Sequence, residues 1–178
     1  SQRGRIRRGL GRTFQINTLF RSLTALDNVA LAVAERLGVA WKLFGRASAQ
    51  RQVVEESRAL LGSLGLEDDA NTRLADLPYG KQRLVEIAIA LGMQPTVLLL
   101  DEPAAGVPSV ESQRILQVLD SLPKDLAILI IEHDMDLVFR FAKRITVLSR
   151  GALLAEGTPD EIASDQRVRE VYLGERDV

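Results

Sequence analysis

The sequence has no cysteine, a single histidine and few aromatic residues, which make up 4% of its 178 positions. Without cysteine it can form neither a disulfide framework nor a thiolate metal site, a composition that fits the cytosol. No apolar run approaches the roughly 20 residues needed to cross a bilayer, and the basic start leads into no apolar segment of a signal peptide. The net charge of −1 gives no reason to expect a nucleic-acid partner. These absences predict a soluble, cytosolic chain that does not insert into membranes.

The hydrophobic pattern changes near residue 92. Between residues 23 and 92 apolar positions recur at helical spacing, whereas strands and helices alternate afterwards, which is typical of a parallel α/β core. Arg150-Gly151 predicts a hairpin turn, and Thr158-Pro159-Asp160-Glu161 predicts a capping box at a helix start. We therefore predict an α/β fold with an all-helical subdomain, divided into a connector (1–22), a helical subdomain (23–92) and a core (93–178). The predicted helices are 27–37, 48–64, 79–91, 110–122, 136–143 and 166–173, and the predicted strands are 97–100, 127–131, 144–149 and 152–156.

The strongest chemical signal is the run Val97-Leu98-Leu99-Leu100-Asp101-Glu102-Pro103. Its four consecutive apolar residues predict a strand buried on both faces, and two carboxylates follow where the strand ends. Ligands of open α/β sheets sit beyond the carboxyl ends of the strands. Asp101 can hold Mg²⁺ there, and Glu102 can orient or deprotonate an attacking water. Taken alone, the run fits equally well a strand that ends in a solvated acidic turn.

A second candidate site is the segment Leu77-Pro78-Tyr79-Gly80-Lys81-Gln82, which leads into a predicted helix. Glycine at a helix start lets backbone N–H groups approach an anion without an intervening side chain, and the helix dipole favours negative charge there. By itself, the same segment is better explained as an ordinary turn before a helix. Because the segment lies upstream of the two carboxylates, it can also be interpreted as an anion-binding loop.

Four segments, taken in order, resemble the motifs of ABC transporter nucleotide-binding subunits, which are P-loop ATPases. Gln15 matches the Q-loop, and residues 77–81 match the signature loop. Asp101 and Glu102 match the Walker B aspartate and the catalytic glutamate, and His133 matches the switch histidine. Within the family, residues 11–15, 79–82 and 171–174 look most like branched-chain amino-acid-type importers.

The resemblance implies a partial P-loop NTPase fold and hydrolysis of ATP with Mg²⁺. It makes Glu102, His133 and Gln15 the catalytic residues, and Asp101 and Gln15 the Mg²⁺ ligands. Residues 77–82 would cap ATP held by a second ATPase subunit, in a homo- or heterodimer with two sites across its interface. Transmembrane permease subunits would be the other partners, which implies a peripheral position at the inner face of the plasma membrane.

The sequence departs from the family pattern because it has no G-x-x-x-x-G-K-[ST], the loop that cradles the phosphates. That loop supplies several charge-assisted contacts of about 1.5–3 kcal/mol each, so we expect this chain alone neither to bind ATP tightly nor to hydrolyse it. We also expect a C-terminal fragment whose missing strand would lie beside residues 97–100. In smaller departures, Pro108 stands where relatives carry Asp or Asn in the D-loop, and Lys81 replaces the usual signature glutamine.

Two other functions fit the same residues. A non-catalytic interaction module could keep the helical subdomain and the signature loop to dock on a partner. A subunit of a lipid or lipopolysaccharide exporter is the main competitor among transporters. The set of Glu102, His133 and Gln15 favours an ATPase, whereas the absent phosphate loop favours the interaction module.

Overall fold

A computed structural model of the protein describes residues 9–12, 19–40 and 47–173, and the chain divides into two compact units, Ser1–Ile131 and Glu132–Val178. The first unit contains a helical region and a parallel sheet, and the second contains an antiparallel hairpin with short helices. The α/β class predicted from the sequence is confirmed. The three-part division at residues 22 and 92 stays a prediction.

The helical region of the first unit is held together by buried apolar side chains from its helices and from the segment that joins the second helix to the third. Thr24 begins the first helix with a capping box, in which its side chain and that of Asp27 bond each other's backbone N–H groups. The helices are α1 (Ala25–Arg36), α2 (Ala47–Ser63) and α3 (Tyr79–Gly92), with a 3-10 turn at Leu74–Asp76 before α3. Their shared core includes Val29, Val33, Leu61, Leu64, Leu66, Leu74 and Leu84.

The parallel sheet of the first unit has three strands in the order β1 (Leu10–Arg12), β2 (Val97–Asp101) and β3 (Ala127–Ile131). Helix α4 (Ser109–Asp120) forms the crossover between β2 and β3. Asp101 pairs with Ile131 in register, and the Glu102 N–H donates to the Ile131 carbonyl oxygen at 2.9 Å. The carboxyl ends of β2 and β3 therefore coincide at one edge of the sheet.

Three expectations about these strands are wrong. In β2 only one face, with Leu98 and Leu100, is buried, while the other is half-buried. In β3, predicted to be buried, Leu129 and Ile131 are 57% and 59% exposed, because nothing among the described residues covers that face. No strand is missing beside β2, since β1 and β3 pair with its two edges. A continuous apolar run thus does not determine how many faces of a strand are covered.

The second unit is built on a hairpin that the sequence predicted. Its two turn residues, Arg150 and Gly151, have φ values of +49° and +79°, as a type I′ turn requires. The predicted capping box is also confirmed, since Thr158 and Glu161 bond each other's backbone. The elements are α5 (Met135–Phe141), β4 (Ile145–Ser149), β5 (Ala152–Gly157), α6 (Pro159–Ser164), α7 (Gln166–Val168) and a π-helical turn at Arg169–Leu173.

Candidate functional site

The two carboxylates at the end of β2 lie on an unusual backbone. Asp101 is the last residue of the strand, and both it and Glu102 are half-buried. Glu102 has φ +46°, in the left-handed region that residues other than glycine seldom adopt. Such a conformation costs about 1–3 kcal/mol and is found preferentially at active sites and ligand clamps. Gln94 and Arg150 share this backbone conformation, so it supports a functional role for Glu102 through its coincidence with the carboxylate pair at the end of the strand.

The start of α3 already holds an anionic oxygen. Pro78 is its N-cap and provides no side-chain hydrogen bond to the helix. Instead, the Gly80 N–H donates to Glu111 Oε2 on α4 at 3.2 Å. A Cβ at Gly80 would lie 2.1 Å from that oxygen, so only glycine allows the approach. Because the amide and the helix dipole both attract negative charge, this helix start fits an anionic group.

The other side chains of residues 77–82 mostly point inward. Leu77 is buried, and the buried Gln82 donates through Nε2 to the Leu77 carbonyl oxygen at 2.8 Å. Lys81 Nζ bonds both carboxylate oxygens of Asp69, at 2.7 and 2.9 Å. Pro78 and Tyr79 are the exposed members of the segment. These bonds anchor the loop within its own unit and leave Pro78 and Tyr79 for contacts outside it.

One turn further along α3, Arg83 links the loop to a buried carboxylate. Its guanidinium lies 5.0 Å from the centre of the Tyr79 ring and donates through Nη2 to the Tyr79 hydroxyl at 2.6 Å. Its Nη1 donates to Glu86 Oε2 at 2.7 Å. The Arg83 and Glu86 side chains are only 8% and 9% exposed. Burial raises the pKa of the Glu86 carboxyl above its ordinary value, and the bond from Arg83 offsets this only in part.

The same pair lines a small cavity beside the end of β2. The walls are formed by Arg83, Glu86, Ile87, Asp101 and Pro103. Arg83 Nε and Glu86 Oε1 are buried and have no hydrogen-bond partner among the described residues. The first unit therefore brings the helix that follows the loop into contact with the same small space as Asp101.

The two remaining candidates are His133 and Gln15. His133 belongs to the second unit, where its side chain is 75% exposed and its backbone N–H donates to Glu132 Oε2 at 3.2 Å. Asp134, the next residue, caps α5 by accepting from the Leu137 N–H. Gln15 lies outside the described residues. The roles assigned to both residues stay predictions.

Comparison with known proteins now adds to this geometry. The profile of the family described as "ABC transporter" matches residues 1–105, and that of the "Branched-chain amino acid ATP-binding cassette transporter" matches residues 152–178. The high-affinity branched-chain amino acid transport ATP-binding protein LivG of Salmonella typhimurium is 38% identical over 176 residues, which are 95% of this chain and 69% of that protein. The chain belongs to the ABC transporter ATP-binding family.

Two further relatives of this ABC ATP-binding chain bear on its fold and role. A crystal structure of the ADP conformation of an ATP-binding cassette of an ABC transporter superposes with a TM-score of 0.76 at 30% identity, covering 96% of this chain and 70% of that one. The lipopolysaccharide export system ATP-binding protein LptB of Acidithiobacillus ferridurans is 37% identical over 175 residues, 97% of this chain and 68% of that protein. No helix in the described part of the ABC chain has the length and hydrophobicity of a membrane span.

Nucleotide binding is the general property that membership of this family implies, and the described residues fit it. The Gly80 amide holds one carboxylate oxygen, so a phosphate oxygen fits there in place of the Glu111 carboxylate. Asp101 offers a hard oxygen ligand at a strand end, but no group of three or more candidate metal ligands exists in the described ranges.

Sequence reasoning about this ABC chain missed four contact residues. Glu111 carries no local signal, because its partner Gly80 lies 31 positions away. Asp69 was missed for the same reason, since it reaches Lys81 from a loop 12 positions away. The pair Arg83 and Glu86 could have been found from the sequence, because two charges three residues apart interrupt the otherwise apolar face of α3.

Proposed function

We propose that this chain is the ATP-hydrolysing, energy-coupling part of an importer for branched-chain amino acids. The observation that carries the proposal is the strained Glu102 directly after Asp101, at the carboxyl end of the central strand. The relatives named for branched-chain amino acid transport, and the match of residues 152–178, support the substrate class. The permease partners, the second ATPase subunit and the position at the inner face of the plasma membrane follow from this role.

In the proposed site each residue has a distinct task. Asp101, with Gln15, would hold Mg²⁺, and bound ATP would supply the transferred phosphoryl group. Glu102 would orient the attacking water or take its proton, and His133 would hold that water against the phosphate. The Gly80 amide and its helix start would bind the phosphate of a nucleotide held by the second subunit. Movement of the Gln15 loop would carry the change to the permease.

The proposal is tested first on the gene. We would read the nucleotide sequence upstream of the Ser1 codon in frame. A strand, a G-x-x-x-x-G-K-[ST] loop and a helix encoded there support the ATPase, because they complete the phosphate site. A start codon with no such loop upstream overturns it and favours the non-catalytic interaction module instead.

The second test uses the protein encoded by the complete reading frame, together with its permease. Glu102→Gln keeps the shape of the side chain but removes the base, so we expect ATP turnover to fall by at least about 100-fold while ATP still binds. The matched control is Glu55→Gln on α2, whose side chain is 62% exposed, and it should leave turnover unchanged. Full ATP turnover in the Glu102→Gln protein would show that Glu102 does not act on the attacking water.

A lipopolysaccharide exporter is the second candidate function, favoured by the 37% identity to the export protein. The two are separated by the ligand that stimulates ATP turnover in the assembled transporter. Stimulation by leucine, isoleucine or valine with a binding protein supports the importer. Stimulation by lipopolysaccharide alone would assign the chain to the exporter.

A further inference from the structure

The cavity between α3 and the end of β2 has the features of a specific small binding site. We propose that one structural water occupies it, accepting a hydrogen bond from Arg83 Nε and donating one to Glu86 Oε1. This water would make Arg83 and Glu86 positioning residues for Tyr79, and so for the start of α3. The last consequence rests on the proposed function, whereas the water itself does not.

The first argument is hydrogen-bond accounting. The Arg83 Nη1 and Nη2 atoms and Glu86 Oε2 all have partners, through Glu86 and Tyr79. Of this pair's polar side-chain atoms, only Arg83 Nε, a donor, and Glu86 Oε1, an acceptor, are left buried without one. Native proteins rarely leave a buried polar group unpaired, because the group loses its hydration and gains no bond in return. A water is both an acceptor and a donor, and it satisfies both atoms at once.

The second argument is size and lining. The cavity has a volume of about 10 Å³ and is lined by both residues that carry the unpaired atoms. That volume is close to the minimum of about 10–15 Å³ that holds one water, and a polar lining keeps such a cavity wet. A nucleotide, a hydrated metal ion or an organic ligand would not fit. The rest of the lining includes Asp101 and Pro103.

The third argument is that this pair has no other evident purpose. Two charged groups lose several kcal/mol of hydration when buried, and apolar replacements of a buried pair are often neutral or stabilising. The pair does, however, fix Tyr79, through the stacked guanidinium at 5.0 Å and the hydroxyl bond at 2.6 Å. The water would complete the bonds of this pair in a cavity that Asp101 also lines.

The direct test is a high-resolution crystal structure of the protein. We expect a density peak within about 2.7–3.2 Å of both Arg83 Nε and Glu86 Oε1. An empty cavity with both atoms still facing it would overturn the proposal. The variant Arg83→Met has a similar length but no hydrogen-bond donor, so the peak should weaken or vanish. A peak that persists unchanged in Arg83→Met would mean that the assigned donor is wrong.

The positioning role is tested by kinetics on the protein of the complete reading frame. Tyr79→Phe removes only the hydroxyl, so we expect the KM for ATP to rise roughly 2- to 10-fold with kcat nearly unchanged. The matched control is Tyr172→Phe in the second unit, whose hydroxyl donates to the Leu148 carbonyl oxygen. An unchanged KM in Tyr79→Phe would overturn the positioning role but not the water. Absence of ATP turnover in every variant, with the water present, would instead overturn the proposed function.

Discussion

Helices α2 and α3 each contain an arginine–glutamate pair about one turn apart. The two ion pairs have nearly the same length but differ in how far their side chains are exposed to solvent. Arg51 and Glu55 on α2 approach to 2.6 Å with side chains 81% and 62% exposed. Arg83 and Glu86 on α3 approach to 2.7 Å but are 8% and 9% exposed. The exposed pair keeps most of its contact with bulk water, whereas the buried pair has lost almost all of it. Equal geometry therefore corresponds to unequal energies, and only the costly pair lies beside the candidate site.

The glycines of the same two helices repeat the contrast. A Cβ at Gly62, near the end of α2, would have no heavy atom within 4 Å. At Gly80, near the start of α3, it would collide with the Glu111 carboxylate. Glycine on α2 is thus a local weakness, while glycine on α3 permits a specific contact. The two glycines therefore differ in role, because only Gly80 makes a contact that a larger residue would prevent.

The largest expected effect is on the buried pair. Glu86→Ala leaves the Arg83 charge buried without its carboxylate, so we expect the free energy of unfolding to fall by about 3–5 kcal/mol. Glu55→Ala, the matched change on α2, should alter it by no more than about 0.5 kcal/mol. Urea denaturation of both variants measures the difference. Similar small losses in the two would show that the buried pair is hydrated in solution and that the contrast is wrong.

Replacing both members of the buried pair sharpens the comparison. Arg83→Met combined with Glu86→Leu removes both charges, so we expect stability to return to within about 1 kcal/mol of the wild type or to exceed it. The same denaturation measurement applies. If the double replacement is as unstable as Glu86→Ala, then packing rather than charge explains the loss.

The two glycines should respond with opposite signs. Gly80→Ala forces Glu111 away from the Gly80 amide, which we expect to destabilise the protein by about 1–3 kcal/mol. Gly62→Ala fills open space in a helix and should stabilise it by about 0.5–1 kcal/mol. Thermal unfolding of both variants reports the signs. A stabilising Gly80→Ala would contradict the contact with Glu111.

What the sequence predicted well was local. The capping box at Thr158 and the Arg150-Gly151 turn each depend on residues within four positions, and both are confirmed. The strand that ends in Asp101 was also found, because four apolar residues in a row leave few alternatives. These features depend on backbone preferences and capping hydrogen bonds within a short segment, so they do not require knowledge of the rest of the fold.

What the sequence did not predict depends on distant neighbours. The alternating exposure of β3 depends on which elements cover each face of the sheet. A run of isoleucine and leucine does not indicate whether one face or both are covered. The contact between Gly80 and Glu111 joins two helices separated by a strand, and the burial of Arg83 is set by elements packed around α3. The backbone strain at Glu102 likewise follows from β2 and β3 fixing its neighbours, not from its own preference.

The smallest expected effect closes the comparison of the two pairs. A double-mutant cycle on Arg51 and Glu55 should give a coupling of about 0.3–0.5 kcal/mol in dilute buffer, as for other exposed pairs on helices. At 1 M salt the screening length falls to about 3 Å, so this coupling should fall towards zero. A cycle on Arg83 and Glu86 should keep most of its coupling, because ions cannot enter between side chains that are less than a tenth exposed. Equal salt sensitivity of the two cycles would show that burial does not separate them.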